Sequence, residues 1–136
     1  MKKALILVFA ALMIPGVALA SPPANPGHSA PKVAYILRGT LSAYSPYDAA
    51  TSTNGSITIL VAHSNYHGRA LHGQTLTFAV TANTRISFAD AVTAITDGDK
   101  GSVRVRAARR VPVADLPATL QASPARRIHD RGAPTP

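Results

Sequence analysis

The chain has 136 residues, a formal net charge of +8 and no cysteine. The lack of cysteine excludes disulfides, thiolate metal sites, cysteine nucleophiles and the lipid-modified cysteine of an anchored lipoprotein. A chain of this length fits one domain, which packing alone must hold together.

Residues 1–20 have the three parts of a cleavable secretory leader. Two lysines supply the basic start, an apolar run covers 4–14, and small residues precede the expected cleavage between Ala20 and Ser21. The apolar run is shorter than the roughly 20 residues of a membrane-spanning helix, so no transmembrane span is expected after cleavage. The sequence therefore predicts a protein that is secreted or held in the cell envelope, with 116 residues and a net charge of +6.

Three segments follow the leader. Residues 21–31 are rich in proline, which favours a flexible, extended tether. Residues 32–131 contain short apolar and β-branched runs between turn residues, a pattern typical of an all-β domain. Residues 132–136 predict a disordered tail.

The first two predicted strands cover residues 33–41 and 56–62. Gly39 supplies a bend or bulge in the first strand. The polar stretch 45–55 separates the two strands and ends in a turn signal, Asn54-Gly55.

The clearest strand covers residues 74–81, where apolar and polar side chains alternate. Leu76, Phe78 and Val80 point to one face, which we expect to lie on the core, and Thr77 points to the other.

The rest of the domain predicts three further elements. Strands are expected at 84–88 and 102–107, the latter with Val103, Val105 and Ala107 facing inward, and a last strand at 125–130 that uses Ile128. Residues 113–121 fit either a short helix or an irregular crossing. In the helical alternative Asp115 caps the helix and Pro117 lies in its first turn.

Several segments of residues 33–107 follow one another in an order that resembles a family of exported bacterial domains of unknown function. The matching segments are GTLSA at 39–43, SITI at 56–59, GQTLTFAV at 73–80, NTRI at 83–86, Gly98-Asp99 and VRV at 103–105. The resemblance implies a small antiparallel OB-like barrel of five to six strands. It implies no catalytic or binding residue.

His63, His67 and His72 are the densest group of candidate metal ligands. Imidazoles suit zinc, copper or nickel. The flanking strands make this segment a hairpin loop, however, and no nearby Asp or Cys completes a ligand set. Solvated loop histidines are the simpler interpretation, so we expect no metal site and no cofactor.

The acidic residues do not form a recognisable site. Asp97-Gly98-Asp99 begins like a calcium loop, but Lys100 stands among the ligand positions and the distal glutamate is missing, so a turn is expected. The chain has no nucleophile elbow, no H-E-x-x-H helix and no glycine-rich phosphate loop. We therefore expect no enzyme, although a site assembled from distant residues leaves no local motif.

Arginines provide the remaining functional signal. The candidates are Arg104, Arg106, Arg109, Arg110, Arg126 and Arg127, with Arg131 nearby. On a strand, Arg104 and Arg106 share the outer face about 7 Å apart. A paired terminal strand would add Arg126 or Arg127 to this basic ridge.

Guanidinium groups bind phosphate and carboxylate through two parallel hydrogen bonds, so the ridge predicts binding to envelope polyanions. Few aromatic residues are available to stack on bases, so no specific nucleic-acid partner is expected. A basic face that only contacts water is the competing interpretation.

The sequence thus predicts an exported, non-catalytic β-barrel module with a binding or structural role. The alternatives are a metal-binding protein that uses the loop histidines and an enzyme without a local motif.

Overall fold

The computed structural model describes residues 31–134. The predicted leader, the tether up to residue 30 and the last two residues of the predicted tail lie outside the described residues.

The described chain is mostly β. Its strands are β1 (Lys32–Ser45), β2 (Gly55–Ser64), β3 (Thr75–Val80), β4 (Arg85–Phe88), β5 (Lys100–Ala108) and β6 (Arg127–Gly132). A 3₁₀ helix, Tyr66–Leu71, joins β2 to β3, and an α-helix, α1 (Leu116–Gln121), precedes β6. Gly132 is thus the last residue of a strand and not part of a tail.

No helix of residues 31–134 has the length and apolar character that a membrane crossing requires.

The six strands form one sheet in the order β3-β2-β1-β5-β6-β4. Neighbouring strands are antiparallel except β4 and β6, which are parallel. The prediction of a β domain with five to six strands is confirmed. The sheet is not closed by strand pairing, since β3 and β4 form its two edges.

Gly39 provides the bend in β1. The pairing of β1 with β2 shifts register between Arg38 and Gly39. A Cβ atom at Gly39 would overlap the backbone carbonyl of Leu60, so no larger residue fits without a backbone shift. The bulge predicted at this glycine is confirmed.

One face of the sheet carries the core. Its fully buried side chains include Leu37, Leu41, Ile57, Ile59, Leu76, Phe78, Val103, Val105 and Ile128. The predicted inward and outward positions in β3 and β5 are confirmed, because Phe78 is 0% exposed whereas Thr77 lies on the exposed face.

The helical alternative for residues 113–121 is correct. α1 begins at Leu116, has Pro117 in its first turn and buries Leu116 and Leu120. The expected cap is absent, since the Asp115 side chain makes no capping hydrogen bond. At the other end of the helix, Gln121 Oε1 accepts a hydrogen bond of 3.0 Å from Thr77 N on the edge strand β3.

The two edges of the sheet meet at one end, because only residues 81–84 separate β3 from β4. Thr84 Oγ1 accepts a hydrogen bond of 2.9 Å from Thr81 N and donates one of 2.6 Å to Ala125 O. Ala125 N in turn donates to Ala79 O at 2.9 Å. These bonds place the start of β6 beside the turn between β3 and β4.

Candidate functional site

Three arginines lie side by side on three neighbouring strands. Arg104 of β5 is paired with Arg127 of β6, and Arg127 is paired with Arg85 of β4. Neighbouring strands are about 4.8 Å apart, so paired residues project from adjacent positions on the same face. All three side chains are exposed. We call these three residues the arginine row.

The alternation of each strand makes the row face outward. On β6, Ile128 is fully buried, and it is paired with Ile86 of β4. On β5, Val103 is fully buried as well. Because successive side chains of a strand point to opposite faces, the arginine next to each of these residues points to solvent.

The arginine row lies in an open groove with a volume of about 630 Å³. The lining residues are Ala82, Asn83, Thr84, Arg85, Arg104, Arg106, Arg126 and Arg127. Five of them are arginines, and none of these lining residues is acidic. The groove therefore concentrates positive charge that no carboxylate among its own walls offsets.

Backbone hydrogen bonds hold the walls of the groove in place. Arg126 N donates to Arg104 O at 2.8 Å, and Arg85 N donates to Arg126 O at 3.0 Å. Arg126, which precedes β6, is thus tied to both β5 and β4.

The groove has the chemistry of an anion-binding site. Each guanidinium presents five N–H donors in a planar fork that matches the oxygens of phosphate or carboxylate. Charge-assisted hydrogen bonds of this type are about twice as strong as neutral ones. An anion that carries several charges would contact more than one arginine at once.

A row of smaller polar side chains lies next to the arginine row. Ser102 of β5 is paired with His129 of β6, and His129 is paired with Ser87 of β4. Ser87 Oγ lies 2.9 Å from His129 Nδ1. With Arg104 and Arg127, these side chains line an adjoining cavity of about 260 Å³.

The serine–histidine pair resembles part of a catalytic triad, which also needs a carboxylate to orient the imidazole. None of the residues lining this cavity is acidic. Asp130, which follows His129, is fully buried on the opposite face, and its Oδ1 accepts a hydrogen bond of 2.8 Å from Gly132 N. Ser87 and His129 thus present a hydroxyl and an imidazole to this cavity.

The structure brings together four of the six arginines predicted as a ridge. Arg104, Arg106, Arg126 and Arg127 line the groove, and the expected pairing of the terminal strand with 102–107 is confirmed. Arg109 and Arg110 lie elsewhere, around a cavity that they share with Pro31 and Ala108.

Four residues that line the groove are not among the candidates from sequence, namely Ala82, Asn83, Thr84 and Arg85. The available signal was the alternation of residues 84–88, which places Arg85 on the outer face once Ile86 is assigned to the core. The missing information was the parallel pairing of β4 with β6, which no local pattern indicates.

The loop histidines do not converge. His63 and His72 have ring centroids 6.3 Å apart, and His72 Nε2 lies 3.0 Å from Ser64 Oγ. His67 instead packs edge-on against Tyr35, with centroids 5.9 Å apart. Within residues 31–134, no group of three His, Cys, Asp or Glu side chains is arranged to hold a metal ion.

The carboxylates of the calcium-like segment stabilise a turn, as predicted. Asp97 Oδ1 accepts a hydrogen bond from Ala43 N and Asp99 Oδ2 accepts one from Thr96 N, both at 2.8 Å. Gly98 between them has a φ of +95°, which glycine adopts without strain.

Two buried carboxyl groups interact, namely Asp99, which precedes β5, and Asp130 of β6. Oδ2 of Asp130 has no hydrogen-bond partner among the described residues. Burial raises the pKa of Asp130; the Gly132 amide lowers this pKa, and the Asp99 carboxyl raises it. A protonated Asp130 can donate a hydrogen bond through its O–H to the Asp99 carboxyl.

Comparisons of the chain with protein-family models, with curated proteins and with solved structures find no match. The support for the candidate site is therefore the geometry and the positive charge of the groove.

Proposed function

We propose that the protein is an exported, non-catalytic module that binds polyanions in the groove around the arginine row. The observation that carries the proposal is the alignment of Arg104, Arg127 and Arg85 on three neighbouring strands. No acidic residue is among the residues that line the same groove. Its place of action, secreted or in the cell envelope, follows from the leader pattern of residues 1–20.

The repulsion between the paired arginines favours the binding of an anion. Like charges in directly opposite positions of a sheet are destabilising, typically by a few tenths of a kcal/mol up to about 1 kcal/mol per pair. Two such pairs share Arg127. A bound polyanion offsets this repulsion, whereas a face that only contacts water leaves it to screening by salt.

We propose a half-closed, OB-like barrel as the scaffold of this module. Two observations support it: a turn of four residues, 81–84, connects the edge strands β3 and β4, and Ala125 N donates to Ala79 O across the gap. Such a curled sheet explains why the groove forms where the edges meet.

The test is the binding of heparin, a teichoic-acid polymer and single-stranded DNA by the protein at several salt concentrations. We expect measurable binding whose log K falls linearly with log salt. The variant Arg85→Gln/Arg104→Gln/Arg127→Gln should weaken binding and flatten this slope by about 2, at about 0.7 for each lost phosphate contact to a flexible strand.

A charge-matched variant separates the groove from net charge. Arg69→Gln/Arg109→Gln/Arg110→Gln removes the same three charges from positions outside the groove. It should keep nearly the wild-type affinity and slope. Equal losses in both variants would contradict the groove as the site, and a wild-type protein that binds none of the three polymers would overturn the proposed function.

A further inference from the structure

The basic surface of the sheet extends beyond the groove. Arg38, Lys100 and Arg131, together with His63, line a further cavity of about 360 Å³. All three basic side chains are exposed. We call Arg38, Lys100 and Arg131 the distal cluster.

The distal cluster lies on the same face as the arginine row. Lys100 is four residues from Arg104 on β5, and Arg131 is four residues from Arg127 on β6. An even separation along a regular strand returns to the same face. The pairing of β5 with β6 shifts register between Lys100 and Gly101, but burial still alternates there, since Gly101 and Asp130 are buried whereas Lys100 and Arg131 are exposed. Arg38 joins this face because it is paired with Ser102, which lies between Lys100 and Arg104.

Strand geometry sets the length of this surface. Lys100 and Arg106 are six residues apart on β5, which is about 20 Å at 3.3–3.4 Å per residue. A single phosphate cannot contact both ends of such a surface. A linear chain with repeated charges can.

The side chains between the two ends are hydrogen-bonding groups. Ser102, His129 and Ser87 form the row between the arginine row and the distal cluster. Tyrosine, phenylalanine and acidic residues are all absent from the linings of the three cavities along this face, within the described chain. The face therefore offers donors to anionic groups, and the rings in these linings are the imidazoles of His63 and His129 rather than the larger platforms of tyrosine or phenylalanine.

We infer that the ligand of this face is a linear polymer of phosphate groups without aromatic bases, which lies along β5 and β6 and contacts the arginine row and the distal cluster together. The inference rests on the proposed polyanion-binding function and names its ligand class. Phosphate oxygens accept hydrogen bonds from guanidinium pairs and from hydroxyl groups, both of which this face supplies. Inorganic polyphosphate and polyol-phosphate polymers share this chemistry.

Chain length provides the test. The affinity of the purified protein is measured for tripolyphosphate, for polyphosphate of about 20 units, and for a glycerol-phosphate polymer and single-stranded DNA of similar charge. We expect the 20-unit chain to bind at least about tenfold more tightly than tripolyphosphate, because it engages both ends of the face at once. The two phosphate polymers are compared to decide which backbone is preferred.

The variant Arg38→Gln/Lys100→Gln/Arg131→Gln distinguishes the inference from a simple effect of length. It should bind tripolyphosphate as the wild type does and lose most of the gain for the 20-unit chain. The Arg69→Gln/Arg109→Gln/Arg110→Gln variant is the control of equal charge and should keep that gain.

Two results would overturn the inference while leaving polyanion binding intact. One is a distal-cluster variant that binds the 20-unit chain as tightly as the wild type. The other is single-stranded DNA that binds as tightly as the phosphate polymers of equal charge, which would assign the face to nucleic acid. If the wild type binds no polyanion, the proposed function itself fails.

Discussion

At the scale of single residues, Asp130 is a titratable group that folding removes from water. It is fully buried, its Oδ2 has no hydrogen-bond partner among the described residues, and burial raises the pKa of its carboxyl. Asp99 raises this pKa further, and His129 lowers it by a small amount. The folded protein therefore keeps the Asp130 proton to a higher pH than the unfolded chain does.

The raised pKa predicts how stability depends on pH. In the unfolded chain an Asp carboxyl has a pKa of about 3.9. When the pKa is higher in the folded state, the group's contribution to the free energy of unfolding is complete below the unfolded pKa and is lost as the pH rises through the folded pKa. We expect Asp130→Asn to unfold at a higher temperature than the wild type at pH 7. This advantage should shrink as the pH falls towards 4, since a growing fraction of the wild-type carboxyl groups is then protonated. Melting curves of both proteins from pH 4 to pH 8 check this, and a variant less stable at every pH would contradict it.

Two adjacent residues of β3 test the faces of the sheet. Phe78 is fully buried, whereas Thr77 is exposed and its hydroxyl lies 2.9 Å from that of Thr58 on β2. Phe78→Asp buries an unpaired carboxylate, which costs several kcal/mol of the ~5–15 available, so this variant should not fold. Thr77→Asp should lose no more than about 1 kcal/mol. Circular dichroism and thermal melts compare the two, and similar losses would be inconsistent with the observed faces.

At the scale of elements, the turn between β3 and β4 determines the shape of the groove. Thr84 bonds through its hydroxyl to Thr81 N and to Ala125 O, so one side chain joins both edges of the sheet. The next residue, Arg85, belongs to the arginine row. A weaker turn should therefore affect both folding and anion binding.

Thr84→Val tests this coupling because it keeps the shape of the side chain and removes the hydroxyl. The backbone groups of Thr81 and Ala125 lose their partner, which costs about 1–3 kcal/mol when such groups are left unsatisfied. We also expect weaker binding of polyphosphate, since the turn that precedes Arg85 is then less firmly fixed beside β6. Thr84→Ser retains the hydroxyl and serves as the matched control. Denaturant unfolding and binding measured on the same samples decide the matter, and a Val variant that behaves like the Ser variant would show that the turn does not depend on this hydroxyl.

At the scale of the whole molecule, the positive charge is concentrated on one face of the sheet. The arginine row, the distal cluster and the polar row between them belong to the strands β1, β5, β6 and β4. Arg109 and Arg110 lie outside this arrangement. The effect of net charge on binding can therefore be distinguished from the effect of where the charge lies. The two triple variants do this, because each removes three positive charges and only one of them removes charges from the groove.

The leader pattern leads to a prediction about the mature chain. Export would remove residues 1–20 with two of the lysines, so the positive charge of the working protein would come mainly from the arginines of the domain. We expect the exported form to begin at Ser21, because small residues at Ala18 and Ala20 follow the apolar run. N-terminal sequencing of protein recovered outside the cytoplasm checks this, and an exported chain that begins at Met1 would refute the leader.

Local sequence patterns predict the strands and the direction of their side chains. Alternation alone predicts that Leu76, Phe78 and Val80 lie in the core, and Gly39 indicates a bend in the first strand. These predictions succeed because the period of a strand and the freedom of glycine are local properties. Residues 113–121 remained open because helix and irregular backbone were both compatible with their sequence.

The order of the strands in the sheet, and therefore the location of the candidate site, is evident only from the folded structure. Arg85, Arg104 and Arg127 are far apart in the chain, and they become adjacent because β6 returns after α1 to lie between β5 and β4. The parallel pairing of β4 with β6 spans about 40 residues and leaves no periodic signal in either segment. Strand order depends on contacts in the core between residues far apart in the chain. A basic ridge within one strand, such as Arg104 and Arg106, can therefore be expected from sequence, whereas a groove formed by β4, β5 and β6 cannot.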